Sequence, residues 1–374
     1  MGVLGFVAVG EEPFCSFGGE DTKRCTAISR VGKNGPIMHS SRYPSVSLHN
    51  VAALETAPWA DDGQQLLRLP SNVREQLNVS ARTRARHPAG CELRFVPSRD
   101  ECSITVTLSA ATGTRVLPYW GPFQSTESIP VGPEPTTATF AVPDRVRRLE
   151  TESISSAFDP RVCRLRFDPE SPIAIHAVTG DCRPPRAGEL PARRYLAYGT
   201  SITAGYGSQP HCSYVAQAAR HLALDPINLG LAGAAFCEPA IADYLAARED
   251  WDVATLSLSV NMANRGFTQE QFRERADNLV ETVANAHPET PIACITLFPY
   301  HADHVRGDDR DRAAAFRQHL RDIVAETDHD ELVLLEGPDL LEPTGLTTDL
   351  LHPGDEGLID IGRALAGELD GILE

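Results

Sequence analysis

From about Ser45 to Cys182 the chain alternates apolar and polar positions. Cys91, Leu93 and Phe95 alternate with Glu92 and Arg94, and Ile104, Val106 and Leu108 with Ser103, Thr105 and Thr107. The same beat returns at Ala138, Phe140 and Val142, at Cys163, Leu165 and Phe167, and at Ile173 and Ile175. A period of two sends successive side chains to opposite faces of a strand. Pro97, Gly113, Gly132-Pro133 and Pro143-Asp144 punctuate the runs. Several short strands spaced in this way predict an all-β sandwich or jelly roll over residues 45–182. The Pro- and charge-rich run 183–194 reads as a linker.

Beyond it the period changes. YLAYG (195–199), INLGLAG, VATLSLSV, PIACITLFPY and ELVLLEG read as short buried strands, separated by helical segments. Thr268 and Gln271 have capping-box spacing at the head of a long helix whose apolar stripe is Phe272, Ala276, Leu279, Val280 and Val283. Five strands alternating with helices predict a doubly wound, parallel α/β domain over residues 195–374. In such sheets ligands bind beyond the carboxyl ends of the strands.

At 374 residues the chain exceeds what one core usually fills, in keeping with two domains. A formal net charge of −17 argues against nucleic acid and against an anionic membrane surface as partners. Both lysines, Lys23 and Lys33, precede Gly35. This shift in composition suggests a poorly ordered leader within residues 1–44. An acidic, Lys-poor surface fits a salt-loving organism, and a GC-rich genome accounts for it equally well. Nine cysteines without a CxxC pair, behind an N-terminus lacking a basic n-region, point to reduced thiols and a cytoplasmic protein, with a Cys163–Cys182 bridge left open.

Four strand ends carry reactive groups. Ser201, just past the first strand at a helix start, is placed for nucleophilic attack, and equally to serve as a plain N-cap. Gly233 in NLGLAG lets backbone approach a substrate, or simply turns the chain. The amide of Asn261 can donate to an oxyanion or complete a loop. Asp349 and His352, three residues apart, can act on one hydroxyl: His352 takes the proton of Ser201 while Asp349 fixes the imidazole. Each feature alone has a structural reading.

Together, in this order, GTSI (199–202), Gly233 in NLGLAG, Asn261 in SVNM and DLLH (349–352) resemble the blocks of the SGNH (GDSL-like) hydrolase family. The resemblance covers about Tyr195 to Leu373. It implies a flavodoxin-like fold with Ser201 as nucleophile, His352 as base and Asp349 as its orienter. The implied oxyanion hole combines the N–H groups of Ser201 and Gly233 with the Asn261 side chain. Thr200 stands where the family has the Asp of its GDS string, and Ser259 and Met262 replace the Gly and Asp of its GxND block. Members with an N-terminal β-sandwich often remove acyl groups from carbohydrates, so the expectation is an O-acetyl carbohydrate esterase needing no metal or cofactor. A lipase, lysophospholipase or thioesterase is the enzymatic alternative, and an inactive carbohydrate-binding protein the other.

Further candidate substrate contacts are Thr200, His301 after the fourth strand, and Trp120 in the aromatic run PYWGPF, where sugar stacking competes with domain packing. His301, Asp303 and His304 have the types of metal ligands, but substrate contacts or a solvated loop are the simpler reading. Cys237 lies close to Gly233 with nothing to mark it as a reactive thiol.

Overall fold

The computed structural model describes residues 41–150 and 154–373. The expected leader therefore falls, up to residue 40, outside the described residues. Residues 41–44 form turns, and buried Tyr43 donates its hydroxyl to the Ile175 carbonyl.

The alternating runs form two antiparallel sheets. One contains Ser47–His49, Glu92–Pro97, Cys163–Phe167 and Thr114–Trp120, with shorter strands at its margins; the other orders Ala53–Thr56, Gln64–Leu67, Ile173–Thr179, Ile104–Ala110 and Thr136–Phe140. Leu93, Phe95, Leu165 and Phe167 from the first meet Leu66, Val106, Leu108 and Ile175 from the second in one core. The inward set of each strand is the apolar half of its alternation, as burying one face of a sheet requires. The presumed linker is structured in part: Cys182–Arg183 pairs with Glu92–Pro97, and Ala187–Glu189 forms a 3-10 turn. The seven cysteines among the described residues are all free, so Cys163 and Cys182 are not bridged.

The C-terminal part is a parallel sheet of five strands: Arg193–Gly199, Leu224–Gly230, Val253–Ser257, Ile292–Ile295 and Leu332–Leu335, in the order second, first, third, fourth, fifth. Helices Pro239–Ala246, Gln269–Ala286 and Arg310–Glu326 cover one face, and Tyr214–His221 and Asp355–Leu373 the other. Thr268 and Gln271 form the expected capping box. The first strand sits where the winding reverses, so its carboxyl end opens into the crevice such sheets offer to ligands.

Two short helices within the sandwich part, Ser71–Arg74 and Val79–Arg84, leave the sandwich core. Leu69, Val73, Leu77, Ala81 and Ala85 join the parallel sheet's core beside Ile227 and Ile241. The two parts also share a buried ion network. Arg94 bonds both oxygens of Asp225, at 2.8 and 2.7 Å, and reaches Glu92, which Arg164 grips through two further bonds. Among the described residues no helix is long and apolar enough to cross a membrane.

Candidate active site

The first parallel strand delivers Thr200 in extended conformation, and its hydroxyl accepts the Ile202 N–H at 3.4 Å. Thr200 is thus a buried N-cap that starts the single turn Ser201–Ala204. Ser201 is 5 % exposed, with its own N–H at the head of that turn. The turn lies directly on the end of the second strand. A Cβ on Gly230 would stand 2.3 Å from the Ala204 nitrogen, so only glycine admits this approach.

Ser201 Oγ lies 2.9 Å from His352 Nε2, and His352 Nδ1 lies 2.7 Å from Asp349 Oδ2. A carboxylate only accepts, so Nδ1 carries the proton; Nε2 of the neutral ring is then the acceptor for the serine hydroxyl. The other Asp349 oxygen accepts the Thr347 hydroxyl and the N–H groups of Leu351 and His352, at 2.8–2.9 Å. Burial alone would raise the Asp349 pKa. The bonds from the His352 ring, the two amides and Thr347 outweigh it and hold the carboxyl well below its ordinary range. Leu350, at φ 51°, makes the turn tight, and its carbonyl accepts the His301 N–H at 2.5 Å.

At the end of the second strand's loop, Gly233 has φ 69°, in the left-handed region. Its loop is tied to the third strand end through Ala235. Ser259 donates its hydroxyl to the Ala235 carbonyl at 2.5 Å, while the Asn261 side-chain oxygen accepts the Ala235 N–H at 3.2 Å. With its oxygen so engaged, the Asn261 amide keeps its NH2 end available. Ser259 therefore does hydrogen-bonding work that the family's glycine cannot, and Met262 is wholly buried.

Residues 197–358 match the model of the GDSL-like Lipase/Acylhydrolase family. This domain belongs to that family. Its chemistry is that of a carboxylic-ester hydrolase. No curated protein matches the chain significantly. Similar solved structures include a salicylyl-acyltransferase, SsfX3, from a tetracycline biosynthetic pathway, with TM-score 0.70 at 14% identity, covering 88% of this chain and 95% of that one. A candidate GDSL-like lipase from Bacteroides ovatus gives TM-score 0.62 at 18% identity, over 88% and 98%. A family two carbohydrate esterase from Clostridium thermocellum, solved with cellohexaose, gives 0.53 at 16%, over 76% and 92%.

Other candidates fall differently around the GDSL-like domain. Trp120 ends its strand at 6 % exposure inside the sandwich core, paired with Cys163 and Phe123, and is no part of the Ser201 site. His301 abuts the Asp349–His352 turn through its backbone, while its ring pairs with Asp308 at 2.8 Å. Arg317 holds Asp303 at 2.7 Å through both oxygens, and among the described residues no group of three His, Cys, Asp or Glu is arranged to hold a metal ion. Burial pushes the Cys237 thiol far up, away from nucleophilic use.

The sequence reading missed Tyr206 and Arg84. Tyr206 follows the nucleophile turn, with its ring centroid 6.0 Å from that of His352, and the Arg84 guanidinium stands 5.6 Å from the other ring's centre, that of Tyr206. Helix Val79–Arg84 begins at Asn78, which donates to the Ala234 carbonyl beside Gly233. It thus runs from the glycine loop to Tyr206. Apolar residues at every fourth position from Leu69 to Ala85 are the signal that would have revealed it.

Proposed function

We propose that this protein hydrolyses acyl esters through an acyl-enzyme on Ser201, with O-acetylated carbohydrate as its substrate class. The observation that carries the reading is the continuous relay from the Ser201 hydroxyl through His352 to the ionised Asp349. Ser201 Oγ attacks the ester carbonyl as His352 Nε2 removes its proton. The oxyanion is held by the N–H groups of Ser201 and Gly233 and the NH2 of Asn261. His352 then gives the proton to the departing alcohol, and a water, activated by the same nitrogen, releases the acid. The fold shared with family two carbohydrate esterases, and an N-terminal sandwich whose helix borders the site, support a carbohydrate ester.

A second reading is supported by the likeness to the salicylyl-acyltransferase over 95% of that chain. In that reading an acyl-enzyme on Ser201 of this chain is discharged by an alcohol in place of water. Long-chain preference would instead mark a lipase.

The test uses 4-nitrophenyl acetate, a long-chain homologue and acetylated sugars. Turnover of acetyl esters in wild type, and its fall to background in Ser201→Ala, are expected. Full activity in Ser201→Ala overturns the mechanism, and ester formation outpacing hydrolysis when an alcohol is added turns the assignment to acyl transfer.

A further inference from the structure

Two arginines border the site, and neither makes an ion pair among the described residues. With 51 acidic against 34 basic residues, carboxylates are plentiful, and Arg94, Arg164, Arg273, Arg317 and Arg321 are all ion-paired. Arg265 is not. It follows the short helix Val260–Asn264 that carries Asn261, is exposed, and makes no ion pair among the described residues. Its Nη2 lies 3.5 Å from where a Cβ on Gly233 would stand, which sets the guanidinium over the backbone of the oxyanion loop. The segment bearing it is anchored on both sides, because Arg312 donates from Nε to the Ala263 carbonyl at 2.7 Å and from Nη2 to the Phe267 carbonyl.

Arg84 stands on the other flank. Its guanidinium lies over Tyr206, whose ring neighbours His352, and it too makes no ion pair among the described residues. Its carbonyl is held by Arg68 Nη2 at 2.8 Å. The carboxylates on neighbouring segments direct oxygens elsewhere: Asp349 to His352, Asp308 to His301, Glu238 to Asn78, and Glu170 to the Gly207 N–H. Two guanidinium groups thus stand at the site without an ion-pair partner among the described residues, on a chain of charge −17. Unpaired guanidinium groups at a cleft select for carboxylate, sulfate or phosphate, by charge and by their planar fork of donors.

We propose that Arg265 and Arg84 make the site selective for esters bearing a second, anionic group. The anion sits on the acyl part or on the alcohol part, as in an ester of an acidic sugar. This proposal rests on the hydrolase reading above and deepens it.

Two matched pairs of esters test it. Mono-4-nitrophenyl succinate against 4-nitrophenyl butyrate places the charge on the acyl side. 4-Acetoxybenzoate against its methyl ester places it on the alcohol side. In wild type the anionic member of at least one pair is expected to have the higher kcat/KM, by about ten-fold, and the pair that shows it identifies the side. Arg265→Gln or Arg84→Gln brings that ratio towards one, and Arg265→Lys retains part of it. Arg220→Gln leaves the ratio unaltered, since Arg220 lies on helix Tyr214–His221, which leads into the opposite end of the sheet. Raising salt from about 0.05 to 0.5 M shrinks the preference, because exposed charges are screened. Ratios near one in both pairs, or a preference that survives both glutamine variants, overturn the proposal while neutral-ester turnover leaves the hydrolase reading intact. If none of the four esters is turned over and a fluorophosphonate fails to label Ser201, the hydrolase reading itself falls and takes this one with it.

Discussion

A carboxylate that accepts four hydrogen bonds has little tendency to take up a proton. Asp349 receives the His352 ring, two backbone amides and the Thr347 hydroxyl, and its pKa is held well below the ordinary range. The sign follows directly: a depressed carboxyl stays ionised until the pH falls far below the point at which an imidazole protonates. The acid limb of kcat/KM should therefore show one ionisation, with slope one, down to about pH 4. A slope of two in a stopped-flow profile would mean that Asp349 titrates as well. Asp349→Asn removes the charge and places an amide NH2 against donors. It is expected to lower kcat by about 10³–10⁴ through the wrong tautomer, as measured with 4-nitrophenyl acetate. Asn261→Ala should cost about 10²–10³ in kcat by removing one oxyanion donor, and it also frees the Ala235 N–H.

At the level of elements, the site depends on how closely a helix turn can lie on a strand end. Gly230→Ala forces a methyl into the Ala204 backbone, where the neighbour cannot rotate aside. The expected cost is about 1–3 kcal/mol of stability, seen as a lower urea midpoint, together with a fall in kcat as Ser201 moves off His352. Much of this architecture was readable from period alone. Alternation marked the sandwich strands, the change of period marked the α/β region, and the four polar blocks at strand ends marked the residues that converge. What escaped had a different physical origin. Helices Ser71–Arg74 and Val79–Arg84 sit in a half whose dominant signal is alternation, and their four-residue apolar rhythm points to a core belonging to the other half. Arg84, Tyr206 and Arg265 carry no motif, because only tertiary placement brings them to Ser201. Trp120 misled for the converse reason, since an aromatic cluster looks alike in sequence whether it faces a sugar or a core.

On the scale of the whole molecule, two parts of separate architecture are held by charges removed from water. Arg94, Glu92 and Asp225 are each almost fully buried, and Asp225 lies on the edge strand of the parallel sheet while the other two lie in the sandwich. Asp225→Asn leaves Arg94 only Glu92, which Arg164 already shares, and should destabilise the protein by about 3–5 kcal/mol. Against this network packs His49, whose Nε2 donates to the Pro226 carbonyl at 2.6 Å. Burial first, and then the adjacent Arg94 charge, lower its pKa to about 4. In the unfolded chain the imidazole protonates near its ordinary value, about 6.5. Between these two values the unfolded state binds a proton that the folded state refuses, so stability rises with pH across the window and is lost as pH falls from about 6.5 towards 4. Asp225 works lower down. Burial opposes its ionisation, Arg94 more than offsets that and brings its pKa to about 2, and its contribution is lost only as pH falls through that value. The two windows can thus be told apart. In urea unfolding at about pH 7 and 4.5, wild type should lose on the order of 3 kcal/mol more than His49→Gln, which keeps a donor for Pro226 but has nothing to titrate. Equal losses in the two proteins would place the acid sensitivity of the interface elsewhere than at His49.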